Sequence, residues 1–224
     1  MFLSIAGNVD VDKVIEICDE MLKPCKNHNL ETVFEEEPET VFERETVQNL
    51  EVATPLFNIG FKAKSENGRA GLKADIETNI VLALLADDSS PLYKKMFDKG
   101  LINSNFGTEV FSGDGFFCSI FGGESRNPNE VLSEIIAEIE RVKVEGFDEE
   151  RFEIIKKSYY GSQIRGFNNV ESVATLMINS YMSDVIPFDT IEIVAEITLE
   201  DIHKRLFSQF NTENYTISVI NPIK

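Results

Sequence analysis

Hydrophobic positions recur along this chain at two spacings, and each spacing predicts one type of element. Apolar residues three to four positions apart are typical of helices with one buried face, and short apolar or alternating runs are typical of strands. Helices are predicted over residues 11–22, 70–86, 91–99, 128–145, 149–159, 173–181 and 199–210. Strands are predicted over residues 2–6, 47–61, 103–111, 115–121 and 215–220. This order predicts an α+β fold, an antiparallel-rich sheet with helices packed on one face.

Local signals fix several of these boundaries. Ser90, Asp148 and Thr198 each stand where a helix N-cap is needed, and Pro91 suits the first helical position. The Asp114-Gly115 pair between two aromatic-rich runs predicts a β-hairpin. Residues 1–5 resemble residues 215–220, so the chain is expected to hold the end of one repeat followed by a whole repeat.

The segment 31–51 is dominated by glutamate, with Pro38 in its middle. Like charges along a chain repel one another and keep it extended. We therefore expect residues 31–46 to form an acidic linker that runs over the surface and is more mobile than the domain after it.

Composition narrows the function classes. The chain has 224 residues and carries 39 acidic against 21 basic residues, a net charge of −18. This charge argues against binding to nucleic acid or to an anionic membrane surface, because both rest on basic residues. The three cysteines form no CxxC pair, and the first residues lack the features of a signal peptide. We therefore expect a reduced, cytoplasmic protein.

The residues offer no recognisable catalytic set. His28 and His203 are the only histidines, and a zinc site usually needs three or four converging ligands. His28 begins a sequence like the inverted zinc motif HxxEH, but Thr32 occupies the position of the second histidine. We expect His203 to be solvated, no metal ligand in this chain and no tightly bound zinc.

Several segments, taken in order, resemble the second half of pitrilysin/insulinase family zinc peptidases, which carry the inverted HxxEH motif. The opening Phe2–Asp10 is similar to the strand that ends in G-(D/N)-V-D in that family, and Ala53–Phe61 is similar to the first strand of its second half. Ser89–Ile102 resembles the stretch of that family that begins with S-x-L-(Y/F) and ends with G-L. Leu199–Ile202 and Tyr215–Val219 are similar to its closing helix and its closing strand. The chain looks closest to the bacterial processing-peptidase-like subgroup.

The resemblance implies an organisation and a role. Residues 1–30 would be the terminal strand and helix of a preceding half, 31–46 the linker, and 47–224 the second-half α+β domain. The chain would be the non-catalytic C-terminal half of a zinc-dependent metalloendopeptidase, one wall of a peptide-enclosing chamber and inactive alone. Zinc would be held by the N-terminal catalytic half of the same polypeptide. The other expected partners are a peptide substrate and a second subunit, the same or different.

Many relatives place an arginine and, seven positions later, a tyrosine in the second half to clamp the substrate. In this sequence Phe97 stands at the arginine position, and the tyrosine position falls at Ile102 or Asn103. We expect Phe97 and Asn103 to face the substrate, although Phe97 also suits a buried position. Two alternatives stay open: a degenerate non-catalytic partner subunit of a two-chain peptidase, and an unrelated binding module.

Overall fold

A mixed five-stranded sheet organises the protein. The computed structural model describes residues 2–23, 26, 33 and 37–223. The strands are β1 (Glu45–Leu50), β2 (Leu56–Ala63), β3 (Gly107–Gly113), β4 (Phe116–Glu124) and β5 (Tyr215–Pro222). Their order across the sheet is β1-β5-β2-β4-β3, in which β1 is parallel to β5 and all other neighbours are antiparallel. The predicted antiparallel-rich sheet is thus confirmed.

The described part of the chain also forms helices, most of which pack on one face of the sheet. They are α1 (Val11–Met21), α2 (Gly68–Ala86), α3 (Pro91–Asp98), α4 (Pro128–Glu145), α5 (Glu149–Gly166), α6 (Val170–Met182), α7 (Asp189–Glu196) and α8 (Leu199–Gln209). Helix α2 contacts α8, α5 and α7, while α8 and α4 reach β2. No helix in the described residues is long and apolar enough to cross a membrane.

The core lies between the helices and one face of the sheet. Phe61, Phe121 and Phe210 are fully buried, and their ring centroids lie 5.5 to 6.1 Å apart. Such tilted and edge-on pairs suit the charge distribution of aromatic rings. The strand residues that face the core alternate with residues on the opposite face, because successive side chains of a strand point to opposite sides.

The predicted helix starts are found where the sequence places them. Ser90 Oγ accepts a hydrogen bond from the Tyr93 amide at 2.9 Å, and the Asp148 carboxylate accepts one from the Arg151 amide at 2.8 Å. At α8, Thr198 and Asp201 bond to each other's backbone amides and complete a capping box. These caps satisfy amide groups that have no partner inside the helix.

The predicted strand over residues 2–6 is wrong. These residues form no strand, and Ser4 Oγ instead donates to the carbonyl of Ala174 on α6 at 3.0 Å. The ring of Phe2 packs on Tyr181 of the same helix. A strand needs a neighbouring strand for its hydrogen bonds, and none in the described residues pairs with this segment.

Strand β1 begins inside the range predicted as linker. Glu45 and Thr46 already pair with Ile217 and Ser218 of β5, and the Arg44 side chain bonds to the carbonyl of Glu213. The division of the chain into a preceding half, a linker and a second half stays a prediction, and much of 24–36 lies outside the described residues.

His203 is half-buried, so the prediction of a solvated side chain is wrong. Its Nε2 accepts a hydrogen bond from the Phe147 amide at 3.1 Å, and its ring stacks on the Phe147 ring. This contact holds the turn between α4 and α5 against α8. His28 lies outside the described residues.

Candidate functional site

The corner between α3 and β3 carries both residues predicted to face a substrate. Helix α3 ends in a Schellman motif, in which the Leu101 amide donates to Met96 O and the Gly100 amide donates to Phe97 O, both at 2.9 Å. Gly100 has φ +67°, a conformation that glycine adopts without steric cost. Leu101 and Met96 are buried, which anchors the corner to the core.

Phe97 is the outermost member of an aromatic series that leads from the core to the surface. Its ring stacks on Tyr93 at 5.8 Å, Tyr93 contacts Phe106 at 6.0 Å, and Phe106 contacts the buried Phe57 at 6.4 Å. Phe97 itself is 49% exposed. The alternative that Phe97 is a core residue is therefore not supported, and half of its ring is available for a contact.

Asn103 holds the loop that follows. Its Nδ2 donates to Glu124 Oε2 at 2.7 Å, and its Oδ1 accepts from the Asn105 amide at 2.9 Å. Asn105 Nδ2 donates to the other oxygen of Glu124 at 3.1 Å. Because Asn103 shapes a turn, β3 begins at Gly107 and not at Asn103 as predicted. One amide hydrogen of Asn103 is left for another acceptor.

The face of the sheet opposite the core carries polar and apolar side chains together, among them Ile120 and the exposed ring of Phe111. Asn58 and Ser218 are exposed there, and Glu124 shares this face because it pairs with Leu56. Gly122 leaves room for the Asn58 side chain, whose Oδ1 lies 2.4 Å from where a Cβ of residue 122 would be. We call this surface the open sheet face; at Glu124 it meets the α3–β3 corner.

A second concave surface lies on the helix side, at the hairpin between β3 and β4. It is a cleft of about 470 Å³ between the start of α2, the hairpin and the end of α6. Asp75 lines it, accepting hydrogen bonds from Ser112 Oγ at 3.3 Å and Asn79 Nδ2 at 3.1 Å. Sequence reasoning missed this cleft, because its residues lie far apart along the chain.

Burial raises the pKa of the Asp75 carboxyl, and its two hydrogen bonds only partly oppose this effect. Burial and the negative charge of Asp75 together raise the pKa of Tyr159 to about 12. The Asp75 shift reflects a carboxylate that is removed from water without an ion pair among the described residues, whereas the Tyr159 shift reflects first the burial of its own phenol and then the charge of Asp75.

Replacement of Asp75 by asparagine should therefore stabilise the protein at neutral pH. A carboxyl whose pKa is raised on folding binds more protons in the native state, so stability falls as pH rises from the unfolded value toward the raised one. The free energy of unfolding of Asp75→Asn minus that of the unchanged protein should grow across this window and then level off. Urea unfolding of both proteins between about pH 3 and pH 7 measures this difference in the free energy of unfolding. A difference that does not change with pH would contradict the prediction.

The described residues contain no group of three histidine, cysteine, aspartate or glutamate side chains placed to hold a metal ion. The corner and the cleft offer hydrogen-bonding groups, and the corner and the open sheet face carry the exposed rings of Phe97 and Phe111.

Comparison with known proteins identifies the family. Residues 1–159 match the family described as Peptidase M16 inactive domain. The chain is 26% identical over 227 residues to a protein named uncharacterized zinc protease YmfH of Bacillus subtilis, an alignment that covers 99% of this chain and 53% of that protein. The chain thus spans about half the length of this curated relative.

Solved structures share the fold. An M16-like peptidase from Alicyclobacillus acidocaldarius superposes with a TM-score of 0.88 at 22% identity, covering 97% of this chain and 53% of that one. An inactive peptidase domain from Bordetella parapertussis gives 0.65 at 17% identity, covering 78% of this chain and 95% of that one. The predicted resemblance is confirmed: the chain belongs to the M16 peptidases, the pitrilysin/insulinase family, and matches their inactive domain.

Proposed function

We propose that this chain is the non-catalytic half of a zinc-dependent metalloendopeptidase and forms one wall of the chamber that encloses the peptide. The observation that carries the proposal is the open sheet face, on which Asn58, Ser218 and Phe111 are exposed among the described residues. Membership in the inactive domain of a peptidase family supports it. On this proposal, the preceding half supplies the HxxEH motif and holds the zinc ion.

Helix α1 supports a continuous connection to that preceding half. It has no buried residue, although Val11, Val14, Ile15 and Cys18 form an apolar stripe that Leu22 continues just after the helix. An amphipathic helix is stabilised mainly by packing of its apolar face. We propose that α1 packs on the preceding half and that residues 1–30 complete it.

The wall would act by enclosure. A closed chamber excludes water and orients the peptide, and both effects help the reaction without a catalytic group on the wall. At the corner, the exposed half of Phe97 offers an apolar contact to a side chain of the peptide. The remaining amide hydrogen of Asn103 offers a hydrogen bond to a peptide carbonyl.

Removal of the Phe97 ring should weaken peptide binding. In the protein that joins both halves, Phe97→Ser is expected to raise KM for a fluorogenic peptide about fivefold, the equivalent of ~1 kcal/mol, with kcat and zinc content unchanged. The matched control is Phe207→Ser, since Phe207 is 59% exposed but lies on α8 in the helix layer.

Two outcomes decide the test. An unchanged KM in Phe97→Ser, or an equal rise in Phe207→Ser, would show that the corner does not contact the peptide.

The 224-residue chain alone, supplied with zinc, should show no turnover. Hydrolysis that a chelator abolishes would overturn the assignment of a non-catalytic half.

A further inference from the structure

Asn67 and Gly68 form the only asparagine–glycine pair in the sequence, and they stand where α2 begins. The side-chain amide of an asparagine can be attacked by the backbone nitrogen of the next residue, because the attack closes a small cyclic imide. Glycine hinders this attack least, since it has no Cβ beside the nitrogen. The pair is therefore a candidate for a change in the covalent structure of the chain.

The Asn67 side chain is free to rotate into this reaction. Asn67 is exposed, and although it holds the N-cap position of α2, its side chain makes no capping hydrogen bond. Asn103 shows the opposite arrangement, because the Asn105 amide holds its amide oxygen and Glu124 holds its amide nitrogen. A side chain held in this way must first break its hydrogen bonds before it can turn toward the backbone.

The nitrogen of Gly68 is available as the attacking atom. Gly68 is the first residue of α2, where the amide N–H has no carbonyl partner inside the helix. Its N–H makes no backbone hydrogen bond outside the helix with a described residue either. The positive end of the helix dipole lies at this nitrogen and favours the loss of its proton. Residues 64–67 belong to no helix or strand, so the backbone before α2 can rotate without breaking a regular element.

We propose that Asn67 of the folded protein deamidates through a cyclic imide with Gly68. The Gly68 nitrogen gives up its proton and attacks Cγ of Asn67, so that a C–N bond forms while the bond from Cγ to Nδ2 breaks. The side-chain nitrogen takes up a proton and leaves as ammonia. Water then adds to one of the two imide carbonyls and opens the ring, which leaves aspartate or isoaspartate at position 67. Water is the only co-reactant, and no oxidation or reduction occurs.

The product places a negative charge where the helix favours one. A carboxylate at position 67 lies at the positive end of α2 and can accept the capping hydrogen bond that Asn67 leaves unmade. Water reaches the pair, because Asn67 and Gly68 both line the cleft beside the β3–β4 hairpin. The modification is independent of the proposed chamber wall, since it needs only the chain itself and water.

Incubation of the folded 224-residue chain at mildly alkaline pH tests the proposal. Peptide mapping by mass spectrometry should find the mass gain of an amide-to-acid change at Asn67. The matched control is the variant Ser104→Gly, in which Asn103 is also followed by glycine but keeps its hydrogen bonds to Asn105 and Glu124. In this folded variant, Asn67 should react about tenfold faster than Asn103, a difference in barrier of ~1.4 kcal/mol. In concentrated urea, which removes the fold, the two rates should become equal.

Two further measurements identify the cyclic imide as the intermediate. Hydroxylamine, which attacks imides, should cleave the folded chain between positions 67 and 68. Asn67→Gln should abolish both the cleavage and the mass gain, because glutamine has to close a larger ring. Reaction at Asn67 in urea but not in the folded chain would overturn the proposal. Equal rates at Asn67 and Asn103 in folded Ser104→Gly would do the same.

Discussion

Replacement of Arg205 by methionine is expected to lower the free energy of unfolding by about 3–5 kcal/mol. Arg205 Nε donates to Glu77 at 3.0 Å, and the two side chains are only 13% and 7% exposed. Without Arg205, the buried Glu77 carboxylate keeps only Lys73 at 3.4 Å, a side chain that is itself 45% exposed. An uncompensated buried charge is far more costly than the loss of a surface ion pair.

Chemical denaturation of three variants beside the unchanged protein tests this expectation. Lys204→Met, which removes an exposed pair with Glu200, should cost less than about 1 kcal/mol. The double variant Glu77→Leu/Arg205→Met should recover most of the loss, because it leaves no buried charge without a partner. A single Arg205→Met variant as stable as the unchanged protein would show that Glu77 is well hydrated, contrary to its burial.

The second large effect is expected in the aromatic core. Phe121→Ala should lower the free energy of unfolding by about 3–5 kcal/mol, because it leaves a cavity beside Phe61 and Phe210 that the rigid sheet cannot close. The matched control is Phe111→Ala on the neighbouring strand, since Phe111 is 57% exposed and should cost far less. Similar losses in both variants would mean that the sheet's core side has been assigned wrongly.

Features that depend on a few neighbouring residues could be predicted from the sequence. The caps at Ser90, Asp148 and Thr198 involve partners only three positions away. The hairpin at Asp114-Gly115 is likewise local, and Gly115 has the expected positive φ of +85°. The order of such elements was sufficient to predict the α+β sheet with helices on one face.

Features that depend on residues far apart along the chain could not be predicted from the sequence. An apolar run over residues 2–6 is equally compatible with a strand and with a segment packed on a helix, and only the available neighbour decides. The bond from the Phe147 amide to His203 spans 56 positions. Gln209 is fully buried because it donates to Phe61 O and Ser119 Oγ, both far away in sequence.

The candidate sites show the same limit. The resemblance to a family pointed to Phe97 and Asn103, and their positions at one corner fit that hypothesis, although their role in binding stays a prediction. The cleft brings together residues from three separate segments, none of which forms a recognisable motif. Only the fold makes Ser112 and Asp75 neighbours, since they lie 37 positions apart in the sequence.

The order of the strands has a consequence for synthesis. Strand β5 comes last in the described chain, yet it lies between β1 and β2. During translation, β2, β3 and β4 can pair as soon as they leave the ribosome, whereas β1 waits for β5, its neighbour among the described strands. Strand β5 must therefore form hydrogen bonds with β1 and β2 in one late step. Before that step, β1 and β2 expose unpaired backbone groups, which can bind other chains.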